Sequence, residues 1–454
     1  MNIVIALLVV AVSAYFLVKQ YKPQAILLIG GAVMILAAYF MGTIEYILDE
    51  SSTTGFFLFD IFQKLNSDGA GEVKGTGFIL MSIAGFSCYC DYIGASRKLV
   101  DLAAAPLKRI NKPYLVLAIA TPLCMFFSLF IASASGLCML LMATIFPLLV
   151  GLGVSPIAAA SVVTTCRIID VGPASSTTVF TAEAVGLPTD QFFVEHQMPV
   201  FLTLCVVIAV VNCFWQKWAD KKMNFVPGSV SPVVVEAKEA NGKDVPAIYA
   251  LFPIIPLILL IVFSSYGIKT IKMNVTNAMF IGLTICLIAE LIRTRSLKAV
   301  CASMTEFFKG QGNQFAGIVT LIIAGGFFAD GLTSLKVVEA GANLVTSSGV
   351  SGLVVILICA LLIVLMAFLM GSGTSSTFAF IPLLPPILQK VGADVTGACL
   401  LALNASGIGR AISPISGVVI IAAGQAKINI FDLVKRNLVP AITAFLVTLI
   451  VGVL

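Results

Sequence analysis

Residues 368–386 read FLMGSGTSSTFAFIPLLPP. They close an apolar run, residues 353–370, that is long enough to enter a bilayer, and then set Gly-Ser-Gly-Thr-Ser-Ser-Thr where lipid is expected. Backbone that leaves a helix at membrane depth is tolerated only when protein buries it or when it lines a wet cavity. Whether such a break is a defect or a device decides the fold.

The rest of the chain settles its class. Of 454 residues, 59% are hydrophobic and 11% charged, and the mean hydropathy is +1.07; soluble domains carry about 25% charged residues. Apolar windows of about 20 residues, the length that crosses a bilayer, number roughly ten to twelve. They are long and continuous, so the prediction is an all-α polytopic membrane protein and not a barrel of short alternating strands. The first apolar run is followed by its positive charges and has no small-residue cleavage site, so it reads as the first helix and not as a removed leader. Eleven Cys show no CxxC pair and the one His is His196; no metal or cofactor set can be assembled. The net charge of +5 is scattered over loops, which gives no case for a nucleic-acid partner.

The break has a counterpart. At an offset of 239 residues, Ser133, Pro147 and Gly153 fall on Ser372, Pro386 and Gly392, and at 241, Pro173 and Pro199 fall on Pro414 and Pro440. Charge tests the repeat independently, because Lys and Arg concentrate in cytoplasmic loops. Residues 42–76 are acidic and their counterpart 293–312 is basic. Residues 97–112 are basic and 336–351 carry only Lys336 and Glu339. The stretch with Glu183, Asp190 and Glu195 is matched by one with Lys427, Lys435 and Arg436. The sign inverts three times, and only Lys269 and Lys272 run against the scheme. This predicts two inverted-topology repeats with re-entrant hairpins: residues 1–215 with a hairpin at 133–153, and residues 247–454 with a hairpin at 371–392. A cytoplasmic linker, 216–246, joins them; Trp215 and Trp218 anchor its border, and both termini are periplasmic.

Each half carries two polar islands: residues 131–136 and 170–178 in the first, 371–377 and 406–416 in the second. A helix that starts inside the membrane offers free N–H groups and the positive end of its dipole, and Ser or Thr at its start adds hydroxyls, so its tip attracts a carboxylate. Candidate substrate-binding residues are Ser133, Ser135 and Gly136 in the first hairpin and Ser372, Gly373, Thr374 and Ser375 in the second. Ser175, Ser176, Ser413 and Ser416 line the remaining space. Close helix packing uses the same small residues. Arg410, inside the fourth island, is a candidate bidentate carboxylate ligand, with a structural arginine as the alternative, and Asn404 is a candidate to orient it. Arg167 and Asp170 form a candidate ion pair or ion-coupling site, Asp170 being the acid suspected of coupling.

These residues also carry a family resemblance. SASGLCMLLMATIFPLLVGLGVS (133–155), MGSGT (370–374) and GRAISPISGVV (409–419) resemble the DcuC-type anaerobic C4-dicarboxylate transporters, and weaker similarity covers nearly the whole length. The resemblance implies transport of fumarate, malate or succinate, or of aspartate-like anions, across the bacterial inner membrane, with succinate export typical. It also implies an elevator-like arrangement within a wider ion-transporter group, and its relatives of that kind are often homodimers. Thr374 stands where the family usually has Asn, and Ser406-Gly-Ile-Gly precedes Arg410 where the family tends to have Ser-Asn-Leu-Gly. The family's residues in the region of Arg167 and Asp170 are mostly small or uncharged.

The reading is a secondary active transporter of a small dicarboxylate, without cofactor, its partners being bilayer lipid and a coupling ion, H+ or Na+. A carrier of another small organic anion, such as an amino acid or monocarboxylate, fits the same helix-tip physics. A passive channel fits it too, and an enzyme is disfavoured by the lack of a catalytic constellation.

Overall fold

The computed structural model describes residues 2–19, 21–48, 52–110, 112–226, 245–264, 266–268, 270–337 and 351–454. Most of the expected linker, the loop containing Glu339, and Lys269 lie outside the described residues. All regular elements among the described residues are helical, as expected where water is not available to satisfy the backbone.

Among the described residues, eight helices are long and apolar enough to cross a bilayer: Pro23–Phe40, Phe57–Tyr92, Ala134–Gly151, Thr189–Lys222, Val275–Thr294, Leu297–Ser334, Gly352–Met370 and Ile430–Gly452. Five more apolar helices are shorter, 10 to 17 residues. That difference explains why the apolar windows exceed the full-length helices. At 1.5 Å per residue, Pro156–Thr165 and Gly417–Ala426 each reach about half of a ~30 Å core.

The element order recurs. Phe57–Tyr92 and Leu297–Ser334 are each interrupted by a wider π turn, Val73–Gly77 and Phe315–Val319. Each is followed by a helix–break–helix hairpin: Pro113–Phe127 with Ala134–Gly151, and Gly352–Met370 with Gly373–Phe380. The arms of each hairpin pack on one another. Then come a third helix, a second break and a short helix: Pro156–Thr165 and Ser176–Ala184 in one half, Val395–Ala411 and Gly417–Ala426 in the other.

Corresponding helices meet antiparallel. Phe78–Tyr92 crosses Leu297–Gln314 with Gly85 facing Gln311 and Tyr89 Oη 3.1 Å from Ser303 Oγ. The crossing is close because Gly310 lies against the backbone of Ala84; a Cβ there would sit 2.7 Å from the Ala84 carbonyl oxygen. Met198–Lys222 runs against Ile430–Gly452, with Val200 near Gly452 and Asp220 near Arg436.

A buried polar cluster fastens that second pair. Arg436 Nη2 donates to Asp220 Oδ1 at 2.6 Å and Nη1 to Gln216 Oε1 at 3.0 Å. Asp220 also accepts from Ser155 at 2.9 Å and Tyr114 at 3.1 Å. Beside it Trp215 and Trp218 stack with centroids 5.2 Å apart, and Trp215 Nε1 donates to the Arg436 carbonyl at 3.0 Å.

Candidate functional site

Both hairpin breaks are helix starts with a serine cap. Ser133 is extended, and its Oγ accepts from Gly136 N at 3.0 Å. Ser372 does the same for Ser375 N at 3.2 Å. Gly371, at φ +66, turns the chain between the arms of the second hairpin. Each start satisfies one orphan N–H internally and leaves others facing outward.

The tips interlock across the halves. Ala134–Gly151 packs on Gly417–Ala426, and Gly373–Phe380 packs on Ser176–Ala184. Cys138 donates to the Val418 carbonyl at 3.5 Å, while Phe180 meets Phe378 edge-on at 4.7 Å. Four helix starts, two from each half, thus approach one region.

Three of these starts, those at Ser133, Ser175 and Ser372, border a cavity of about 430 Å³, within the range of small-molecule sites. Nine of the sequence-selected residues line it: Ser133, Ser135, Arg167, Asp170, Ser175, Ser176, Ser372, Thr374 and Ser375. The others lie behind the wall or apart from it. Gly136 holds the first cap. Gly373 is buried against Val395–Ala411, where a Cβ would meet the Ser406 carbonyl oxygen at 2.7 Å. Asn404 does not reach Arg410; it donates to Thr448 at 3.3 Å. Ser413 donates to the Phe368 carbonyl at 2.6 Å. Ser416 Oγ is buried and has no hydrogen-bond partner among the described residues.

Arg410 is also behind the wall. Its Nη2 donates to the Arg167 carbonyl at 2.6 Å and to Asp170 Oδ1 at 3.2 Å, and Nη1 to Asp170 Oδ2 at 3.4 Å. Arg167 holds the same carboxylate, through Nε at 3.1 Å and Nη2 at 3.0 Å. Its Nη1 donates to the carbonyls of Ile131, at 3.1 Å, and Ala132. Arg167 therefore fixes the approach to the first tip and is the arginine of the cavity wall, while the Arg167–Asp170–Arg410 cluster keeps one net positive charge. The segment is further clamped by Gln197, which donates to the Asp170 carbonyl at 3.2 Å and accepts from Gly172 N at 3.2 Å.

Sequence reasoning missed the opposite wall. Ser87, Asp91, Asn313 and Gln314 line the cavity from Phe78–Tyr92 and Leu297–Gln314, and Gln314 Nε2 donates to Ser176 Oγ at 3.1 Å. The polar run GQGNQ, residues 310–314, was the available signal. Hydroxyls, amides and one wall guanidinium form a surface suited to a small polar anion.

The family model of the C4-dicarboxylate anaerobic carriers, DcuC, matches residues 1–454. The probable anaerobic C4-dicarboxylate transporter DcuC of Vibrio cholerae is 33% identical over 453 residues, spanning 100% of this chain and 97% of that protein. The anaerobic C4-dicarboxylate transporter DcuC of Escherichia coli K12 is 29% identical over 449 residues, spanning 99% and 95%. In fold the chain is similar to Neisseria gonorrhoeae MtrF, described with a class of antimetabolite efflux pumps, at a TM-score of 0.62 and 14% identity, covering 95% of this chain and 94% of the other. The Alcanivorax borkumensis YdaH transporter, described as having an unusual topology, is similar to the same degree: TM-score 0.62, 15% identity, 95% and 98% covered. The all-helical multi-pass architecture and the full-length match agree: the chain belongs to the DcuC family of C4-dicarboxylate anaerobic carriers, a family of transporters and not of enzymes.

Proposed function

We propose that the chain is a secondary active transporter that carries C4-dicarboxylates such as succinate, fumarate and malate across the bacterial inner membrane, by uptake, exchange or efflux. One observation carries this reading: two serine-capped helix starts from different halves face a single cavity of about 430 Å³. Two separated carboxylate sites are what a dicarboxylate needs. One carboxylate binds at Ser133 and Ser135, the other at Ser372, Thr374 and Ser375, and Ser175 and Ser176 line the space between them. Arg167, backed by Arg410 through Asp170, supplies the positive potential. The names of the relatives support the substrate class.

Residues 1–215 and 247–454 act as inverted repeats joined by a cytoplasmic linker at 216–246, with both termini periplasmic and two chains paired through their scaffolds. Movement of the hairpin-bearing parts past that scaffold exposes the cavity to each side in turn.

The test is exchange of radiolabelled succinate in proteoliposomes, with a competition panel of unlabelled di- and monocarboxylates. Succinate, fumarate and malate should compete, and Arg167→Ala should abolish most exchange. Monocarboxylates that compete equally well, or undiminished exchange by a correctly inserted Arg167→Ala protein, would overturn the proposal.

A further inference from the structure

Asp91 is a cavity-wall acid that the proposed binding mode leaves unused. It lies in the last turn of Phe78–Tyr92, exposes its carboxylate to the cavity and is faced by Ser96. The Cβ position of Gly136 is 4.0 Å from Asp91 Oδ2, so the acid stands beside the first hairpin tip. No Lys or Arg among the described residues lies within ion-pair distance of it.

Most other charged groups on the surrounding elements have partners of their own. On Leu297–Gln314, Glu306 holds Lys309 at 2.7 Å. On Val275–Thr294, Glu290 holds Arg293 at 2.7 Å and accepts from Tyr249 of the neighbouring Ala247–Ile254 segment. On Ala95–Ala104, Arg97 faces Asp101 at 3.8 Å, and Lys98 follows it. On Ser176–Ala184, Glu183 accepts from Thr76 of the Val73–Gly77 turn, next to Lys74. Across the cavity Asp170 is held by two arginines. Cys88, Cys90 and Cys286 nearby are thiols.

The halves differ at this point. The residue 239 positions after Asp91 is Asp330, which pairs with Lys64 at 3.2 Å and does not line the cavity. Among the described residues, no acid lines the cavity at the second tip, whereas the first faces one without a Lys or Arg partner. Ionised, Asp91 is itself the anion at the positive end of Ala134–Gly151. A substrate carboxylate entering there meets a like charge in a site of low dielectric, and neutralising Asp91 removes the repulsion. With Asp91 protonated, the wall and the arginine cluster together keep one net positive charge for the dianion.

We propose that Asp91 is the proton-carrying group of the transporter: its carboxylate takes a proton from cavity water as a substrate carboxylate takes over the Ser133–Gly136 helix start, and returns it when the substrate leaves. This rests on the dicarboxylate reading and assigns coupling to Asp91 in place of Asp170.

The experiment uses the full chain in detergent, with succinate binding followed by calorimetry and proton uptake by a pH indicator in weak buffer. In the wild type, binding takes up about one proton, and affinity falls about tenfold per pH unit once Asp91 is ionised in the free protein. Asp91→Asn, which imitates the protonated acid, binds succinate with near-zero uptake and less than about threefold change across the same range. Asp91→Glu restores uptake.

Unchanged proton uptake in Asp91→Asn overturns the assignment. So does a variant that melts like the wild type but binds no succinate, or Na+-dependent binding, without proton uptake, that Asp91→Asn abolishes. A wild type that ignores every dicarboxylate refutes the substrate reading instead. Proton uptake is then measured with the anion that wins the competition panel, and a result unchanged by Asp91→Asn still overturns the role.

Discussion

Arg410 reaches from one half of the chain to Asp170 in the other, with Nη2 3.2 Å from Oδ1 and Nη1 3.4 Å from Oδ2. The carboxylate sits between this arginine and Arg167, and all three groups are buried. Removing the middle charge leaves two guanidinium groups facing each other without a counter-ion. Breaking a buried ion pair costs about 3–5 kcal/mol. Asp170→Asn should therefore lower the melting temperature in detergent, and Asp170→Asn with Arg410→Gln should recover part of the loss because the repulsion goes with the second charge. A single variant that melts like the wild type would show that the cluster does not hold the halves together.

The two arginines should separate in transport kinetics. Loss of a charge-assisted contact is worth about 1.5–3 kcal/mol, or roughly 10- to 150-fold in affinity. Arg167→Ala removes the wall charge and the bonds to the carbonyls of Ile131 and Ala132, so the KM for succinate should rise by that range. Arg410→Ala leaves Arg167 on Asp170 and should raise KM about tenfold less. Equal effects in initial-rate measurements would mean that the arginines act as one unit.

Gly373 is required by proximity. Its missing Cβ would lie 2.7 Å from the Ser406 carbonyl oxygen, a helix-to-helix contact that cannot yield as a flexible side chain can. Gly373→Ala should push the second tip off Val395–Ala411 and reduce succinate exchange at least about tenfold, since small displacements at a binding site are expensive. Gly424→Ala is the matched control, because nothing lies within 4 Å of its Cβ position; exchange and melting should stay at wild-type values or improve slightly.

Arg436 makes a prediction about stability alone. It is buried on Asp220 and Gln216, away from the cavity. Arg436→Gln should lower the melting temperature more than the double variant Asp220→Asn/Arg436→Gln does, because only the single change strands a buried carboxylate. The reverse order in differential scanning calorimetry would contradict this account of the cluster.

The local features of the fold were legible in the sequence because they depend on neighbours along the chain. Ser133 and Ser372 announce helix starts, since a hydroxyl followed by small residues in an apolar run has little other use there. The number of full-length helices was not legible: an apolar window does not reveal that Pro156–Thr165 ends after ten residues. Nor was the destination of a side chain. Arg410, inside a polar island, and Asn404, just before it, are both polar groups in an apolar setting to a sequence reading, yet one reaches Asp170 and the other turns to Thr448. Asp91, Asn313 and Gln314 join the cavity only because Gly85 and Gly310 let two distant helices approach closely, a contact without a local signature.

The stacked indoles beside Arg436 are the only two tryptophans in the chain. All of the protein's tryptophan fluorescence therefore originates at one junction, where Met198–Lys222 from one half meets Ile430–Gly452 from the other. The molecule carries its own optical gauge of how these two halves sit against each other, readable during substrate addition without any attached dye.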